Sequence, residues 1–370
     1  MIIKNSDELR YICKQSTNSE YITIDTEFIR KKGAFYPEPS LLQFSIDGKI
    51  GYICDILDST IDLNPLRNLL LHQDIIKVFH SCKEDLHIIY KLFNIIPVNI
   101  FDIQLGVMFL GGYNNPSYNL LVDDFLGIKL DKKLQFSNWM LRPLLTKQLE
   151  YAARDVTYLF ELFPLIREKL GYKKYSWARE EMQNILNYDL KAIVQDRLEK
   201  IALKILHKNK YINPRYLWLL EIALTWREEQ SIERDIIRNK IIDSIALAEF
   251  IYKVDKYFDE FDKSKILLNK TLGCIMMRIE LALNQGMNLE SSNKLVKLIM
   301  KKRDVIYKNL KLYHDLQDML RECSYNSSIN QKLIGNKNDI VTIIARDSLT
   351  PKFANGWRYQ VFGRLLKFTC

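Results

Sequence analysis

Four acidic residues of this chain stand where an unpaired charge is costly. Asp25 and Glu27 lie in YITIDTEF, Asp85 in FHSCKEDL, and Asp155 in YAARD with Tyr151 four residues ahead of it. Each carboxylate ends an apolar strand pattern or lies on an apolar helix pattern, where an isolated charge is destabilising. Hard divalent ions remove that penalty, because Mg²⁺ takes oxygen ligands. Two such ions about 3.5–4 Å apart clamp both the attacking and the leaving oxygen of an in-line phosphoryl displacement. The chemistry open to these residues is nucleolytic hydrolysis.

The spacing supports a shared site. Asp25 and Glu27 are two apart on a strand, so both side chains leave the same face. Tyr151 and Asp155 are four apart on a helix and share its face. The Tyr151 hydroxyl can then hold a water beside an Asp155-bound ion. Asp85 follows a strand ending at His80, and Ser81 is the expected N-cap of the next helix. Each piece has a plainer reading: a solvated strand end, a carboxylate on a helix dipole, a Tyr–Asp hydrogen bond. All of them together, in this order, favour chemistry.

The elements that must position these groups are legible. YITID (21–25), LLQFSI (41–46), IGYICD (50–55), IIKVFH (75–80) and NIFDIQ (99–104) are short runs rich in β-branched and aromatic residues. Asp47-Gly48 predicts a hairpin turn. PLRNLLL and SCKEDLHIIYKLF are helical, so the first 170 residues predict a mixed α/β sheet. From 144 to 170 one helix is expected, with Leu145, Leu149, Ala152, Val156, Leu159 and Leu162 along one side. Beyond Gly171 the strand signal fades. Helices are expected at 172–206, 216–235, 240–256, 264–284, 291–321, 328–334, 338–345 and 357–367, with a break near Gly286–Ser292.

Composition narrows the partner. The chain has 370 residues, 48% hydrophobic, with a net charge of +9. Residues 1–170 carry 19 Lys+Arg against 21 Asp+Glu, and residues 171–370 carry 35 against 24. The basic half therefore suits a polyanion, of which nucleic acid is the usual one. Six scattered cysteines (Cys13, Cys54, Cys82, Cys274, Cys323, Cys370) fit reduced thiols rather than a disulfide framework or a zinc site. MIIKNSDELR lacks the marks of a signal peptide and no stretch approaches a bilayer span, so a cytoplasmic chain is expected. No G-x-x-x-x-G-K-[ST] loop occurs, which excludes an ATP motor.

The order Asp25-Thr26-Glu27, His80-x-x-x-x-Asp85 and Tyr151-x-x-x-Asp155 resembles the three motifs of the DEDD exonuclease superfamily, Tyr-containing branch. DTEFIRKKGAFYPEPSLLQFS, WMLRPLLTKQLEYAARDVTYL and TWREEQSIERD resemble bacterial ribonuclease D, and the similarity runs over nearly the whole chain, thinning after 290 to GWRYQVFG (356–363). The resemblance implies a ribonuclease H-like α/β exonuclease domain over 1–171, a helical connector over 172–211, an HRDC domain over 212–288 and a divergent HRDC-like helical domain over 289–370. It implies Asp25, Glu27, Asp85 and Asp155 as ligands of two Mg²⁺ or Mn²⁺ ions, and Tyr151 as the group orienting the nucleophilic water. The implied substrate is the 3′ end of RNA, released as nucleoside 5′-monophosphates, with tRNA precursors bearing 3′ trailers as the cellular target and a monomer as the working form. Phe28, His80, Trp139 and Arg142 are candidate substrate contacts, the aromatic and Arg groups because they stack on bases and hold phosphates of single strands. Trp226 and Trp357 are expected in the cores of the two helical units. The rival readings are a non-catalytic RNA-binding protein and a DNA-directed 3′→5′ exonuclease.

Overall fold

The structure is a computed structural model and describes residues 1–130, 137–186, 190–207, 212–257 and 269–366. Five runs form strands: β1 Tyr21–Ile29, β2 Glu38–Ser45, β3 Tyr52–Asp55, β4 Ile76–Phe79 and β5 Ile100–Asp102. They make one sheet in the order β3-β2-β1-β4-β5. β1 to β3 pair antiparallel, while β4 and β5 run parallel to β1, giving the expected mixed sheet. Asp47 closes the β2–β3 connection by accepting from the backbone of Lys49 and Ile50. Gly48 supplies the positive φ of 72° that the turn requires.

Helices α1 Ser6–Ser16, α2 Asn64–Leu70, α3 Lys83–Phe93, α4 Ile103–Val107 and α5 Tyr118–Leu126 surround the sheet. α1 lacks a counterpart among the expected helices. It buries Leu9, Ile12 and Cys13, and its polar charged face masks that stripe in a simple composition scan.

The long α6, Thr146–Leu186, breaks at Gly171 (φ 60°, ψ 174°). No neighbour lies within 4 Å of a Cβ added there, so backbone conformation rather than space requires the glycine. The first arm lies on the sheet and buries Ala152, Val156, Leu159 and Leu162, as expected, but Leu145 is exposed. Gly51 lets this arm approach closely: a Cβ there would sit 2.5 Å from the Ala153 carbonyl oxygen. The second arm carries Ala178 and Met182 into a core shared with the C-terminal helices.

The rest of the chain is helical: α7 Leu190–His207, α8 Pro214–Glu233, α9 Arg238–Ile241, α10 Ser244–Tyr257, α11 Lys270–Asn284, α12 Glu290–Lys308, α13 Leu310–Ser327, α14 Gln331–Ile334, α15 Lys337–Arg346, α16 Pro351–Ala354 and α17 Gly356–Val361. The helix expected over 264–284 begins, in its residues 264–268, outside the described residues, as does Cys370. The helix expected over 291–321 is two helices, broken at Asn309 (φ −125°, ψ 36°). Among the described residues no helix is long and apolar enough to cross a membrane.

Apolar packing divides this half unequally. One core runs from Val194 through Leu220, Trp226 and Ile251 to Ile299 on α12, past the expected boundary at 289. The second merges with the core of the sheet domain: Leu320, Ile340, Phe353 and Trp357 belong to the same apolar cluster as Ile22, Val78 and Phe109. Trp357 packs edge-on against Phe109 at 4.9 Å, and Arg358 makes two 2.7 Å hydrogen bonds to the Glu181 carboxylate. Trp226 thus lies in a helical core as expected, whereas Trp357 joins its helices to the sheet domain.

Candidate active site

β1 and α6 meet at the site. Asp25 stands opposite Gln43 and Glu27 opposite Leu41 across the β1–β2 pair, and residues so paired share a face. Beyond Glu27 the register shifts, Phe28 pairing with Pro39, so Ser40 is an extra residue that bends β2 away. Three hydroxyls on neighbouring elements hold α6 in place through its own carbonyls. Thr23 Oγ1 donates to Val156 O at 2.7 Å, Tyr118 Oη to Asp155 O at 2.5 Å and Tyr21 Oη to Phe160 O at 3.2 Å.

That clamp brings Asp155 over Asp25 and Glu27. Each of the three carboxylates offers an oxygen, and these oxygens lie within 4.8 Å of one another. Asp85 arrives from α3, is buried, and accepts from Thr26 Oγ1 at 2.5 Å. Thr26 lies between Asp25 and Glu27 in β1, on the opposite face by alternation.

The electrostatics are those of crowded, desolvated acids. Burial pushes Asp25 up to about 8, and Asp155 beside it adds to the rise. Burial pushes Asp155 up to about 7, while a hydrogen bond from Tyr151 draws it back in part. Glu27 and Asp85 are raised well above the usual carboxylate range, first by burial and then by Asp25. Burial and the same acids raise Tyr151 as well, so its phenol stays protonated and donates.

The α3 terminus departs from expectation. Ser81 is not the cap: it has φ 59°, and its N–H donates to Asp102 Oδ1 at 2.9 Å while Cys82 N–H donates to Oδ2 at 2.9 Å. Asp102 also accepts from Gln104 N at 2.9 Å. This buried carboxylate at the end of β5 fixes the turn that carries Asp85, and sequence reasoning passed over it. Its only local signal is an acid closing the apolar run NIF. Tyr118 was missed as well, and nothing in its local sequence marks it.

The candidate substrate contacts fare unevenly. Phe28 follows the acids and is half-buried. His80 Nε2 lies 3.0 Å from Pro116 O; a carbonyl only accepts, so Nε2 carries the proton. The His80 ring packs edge-on against Tyr118 at 5.4 Å, and burial lowers its pKa, so it is a neutral group committed to Pro116. Trp139 is 1% exposed, packed with Leu41, Ile53 and Ala152, so its ring is closed to a stacking base. Arg142 is committed to Asp55 through two hydrogen bonds of 2.5 and 2.6 Å and to the carbonyls of Ser40, Trp139 and Leu141. It closes the β2 bulge instead of holding a phosphate.

The residues fit a divalent cation. Four acids this close on rigid elements hold protons in place of a cation, as their raised pKa values show. Gln43, fully buried opposite Asp25, has both amide atoms without a partner among the described residues, a polar group left for water or an ion's hydration shell.

A mixed sheet under a helix, with carboxylates converging where β1 meets α6, defines a nuclease of the 3′→5′ exonuclease class, and the family model described as "3′-5′ exonuclease" matches residues 1–171. The curated ribonuclease D of Zymomonas mobilis is 32% identical over 370 residues, 98% of this chain and 92% of that protein. That of Bartonella henselae is 30% identical over 372 residues, 98% and 88% respectively. The crystal structure of Escherichia coli RNase D, described as an exoribonuclease involved in structured RNA processing, superposes with a TM-score of 0.72 at 22% identity, covering 99% of this chain and 96% of that one. The chain belongs to the ribonuclease D family. It is a hydrolase, a 3′→5′ exoribonuclease acting on RNA, and enzymes of its exonuclease family depend on divalent metal ions.

Proposed function

We propose that this chain removes nucleotides one at a time from RNA 3′ ends by two-metal-ion hydrolysis, and that tRNA precursors with short 3′ trailers are its cellular substrate. The observation that carries the reading is the convergence of Asp25, Glu27 and Asp155 within 4.8 Å, with Asp85 pinned behind them by Thr26. Asp25, Glu27, Asp85 and Asp155 would hold two Mg²⁺ or Mn²⁺ ions. Bound there, the ions would activate water and neutralise charge on the scissile phosphate.

The chain's own residues do the rest. Tyr151 Oη, fixed by Asp155, orients the water for attack on phosphorus. The bond to the 3′ oxygen of the preceding nucleotide breaks, and a nucleoside 5′-monophosphate leaves. Phe28, beside the acids, packs on the terminal nucleotide. Raised acid pKa values mean that ion binding displaces protons.

The same reading gives an exonuclease domain over 1–171 followed by HRDC-type helical units, the first packed from α7 to α12 and the last helices joined to the core of the sheet domain, working as a cytoplasmic monomer. Structured RNA suits a basic helical half that grips the folded body and lets the 3′ tail reach the acid cluster. The test is a time course on a tRNA with a short 3′ trailer, an unstructured RNA and a DNA of equal length, each with Mg²⁺, Mn²⁺ or a chelator. Trimming of the tRNA trailer ahead of the other two, only with metal, is expected. Equal rates on DNA would overturn the substrate assignment.

A further inference from the structure

The first helical unit holds a cluster of cations that the acids around it do not balance. A cavity of about 300 Å³ is lined by Arg197, Lys200, Lys204, Arg227, Arg238 and Ser244. The buried acid beside it among the described residues is Glu228, 0% exposed, which already takes Arg197 and Arg238. Lys200 is paired at the rim with Asp196 at 2.5 Å. Asp243, beside Ser244, also acts on Arg227, so among the described residues three acids face five cations.

Arg227 is 1% exposed. It donates to Ser244 Oγ at 3.0 Å and to Ile242 O at 3.3 Å, yet its Nε has no partner among the described residues. Burial draws its pKa down to about 10, and repulsion from Arg197 and Arg238 works in the same direction against the pull of Glu228 and Asp243. Glu228, Asp196 and Asp243 together match three cations, so two of the five remain in surplus among the described residues. Lys204 is exposed at the mouth and adds to the surplus.

The cavity adjoins the segment that leaves the catalytic strand. Ile237 N–H donates to Gly33 O at 2.9 Å, Lys240 Nζ to Lys32 O at 3.1 Å, and Tyr36 N–H to Asp235 Oδ1 at 2.7 Å. The Arg238 guanidinium lies over the Phe35 ring at 5.0 Å. Arg30, Lys31 and Lys32 follow β1 directly and are exposed; Arg30 is paired with Glu84 and Lys31 with Glu38, so charged surface links the carboxylates to the cavity. Gly33 is six residues beyond Glu27, a reach of at most about 20 Å along the chain.

We propose that this cavity is a phosphodiester site for the substrate strand, seating a backbone phosphate several nucleotides upstream of the 3′ end held among the carboxylates. The proposal rests on RNA entering at the acid cluster, and it assigns the first helical unit a local role in setting how long a 3′ tail must be for tight binding. Arg227 and Arg238 form its floor, with Lys200 and Lys204 at its rim.

The test uses the full chain, in chelator so that RNA stays intact. Single-stranded RNAs of about twelve nucleotides, within the range for one binding groove, carry a neutral methylphosphonate at each linkage in turn. One or two adjacent internal linkages should weaken binding roughly tenfold when neutralised. In Lys200→Gln/Lys204→Gln, both sites exposed and so tolerant of change, that dependence should vanish. The logarithmic salt slope should also fall by about 1.4, two contacts at 0.7 each for a single strand. Lys294→Gln/Lys297→Gln, exposed lysines elsewhere, is the charge control. Uniform weakening at every linkage, equal losses in the control pair, or unchanged affinity in the rim pair would each overturn the proposal. Dinucleotide cleavage by the unaltered chain with Mg²⁺ tests the catalytic reading separately.

Discussion

Without a cation, Asp25 keeps its proton near neutral pH, because burial and Asp155 raise its pKa to about 8. Asp155, at about 7, is close behind. Both lie well above the unfolded value near 3.8, so between these limits the folded chain binds more protons than the unfolded one. Stability from these groups is complete below the unfolded value and is lost as pH rises through about 7 to 8. The metal-free protein should therefore show a thermal midpoint that falls from about pH 5 to pH 8.5, and Asp25→Asn should flatten that fall. A midpoint that instead rises across this window would contradict the crowded-acid account. Tyr151→Phe should lower the chemical step by roughly 10²-fold, the scale of a positioned proton-handling group, with RNA affinity little changed. An affinity loss as large as the rate loss would make Tyr151 a substrate contact. The acids were legible because an acid inside an apolar run is itself a signal. Trp139 and Arg142 were not, because residue type alone does not tell a ring buried under α6 from one open to a base.

At the scale of elements, the α3 terminus depends on a residue supplied by β5. Asp102 accepts three backbone N–H groups, from Ser81, Cys82 and Gln104. Asp102→Asn leaves one acceptor oxygen and no charge. It should cost about 1–3 kcal/mol and lower kcat more than it raises KM, because Asp85 loses its fixed turn. Chemical denaturation and steady-state kinetics on the same preparation check both; unchanged stability would show that the turn holds without this acid. The strands were readable from their β-branched runs and from the turn at Asp47-Gly48. The cap was not, since the pattern that marks Ser81 is local while its partner lies 21 residues away. The break at Asn309 escaped for a related reason: helical periodicity on both sides hides one non-helical residue.

Across the whole molecule, the C-terminal helices share a core with the sheet domain, so the two should unfold together. Trp357→Ala removes a fully buried ring packed on Phe109. It should cost about 3–5 kcal/mol and lower the midpoint of the sheet domain in one transition; two separated transitions by calorimetry would argue against a shared core. Cutting the chain after Tyr172 would strip Trp357 and Met182 from that core, so RNA grip is better tested with charge variants of the intact chain. Net charge revealed a basic half but not its cavity, because Arg197, Arg227 and Arg238 meet only when α7, α8 and α9 pack. The central claim is that the acid cluster removes 3′ nucleotides, and its most direct test is one labelled RNA. A 5′-labelled strand, with a free or a blocked 3′ hydroxyl, is incubated with Mg²⁺ and either the unaltered chain or Asp155→Asn. The account predicts a ladder shortening by single nucleotides from the free 3′ end, with nucleoside 5′-monophosphate released, and almost no product from Asp155→Asn although its fold is intact. Internal fragments from the unaltered chain, or an Asp155→Asn ladder as fast as the original, would contradict it.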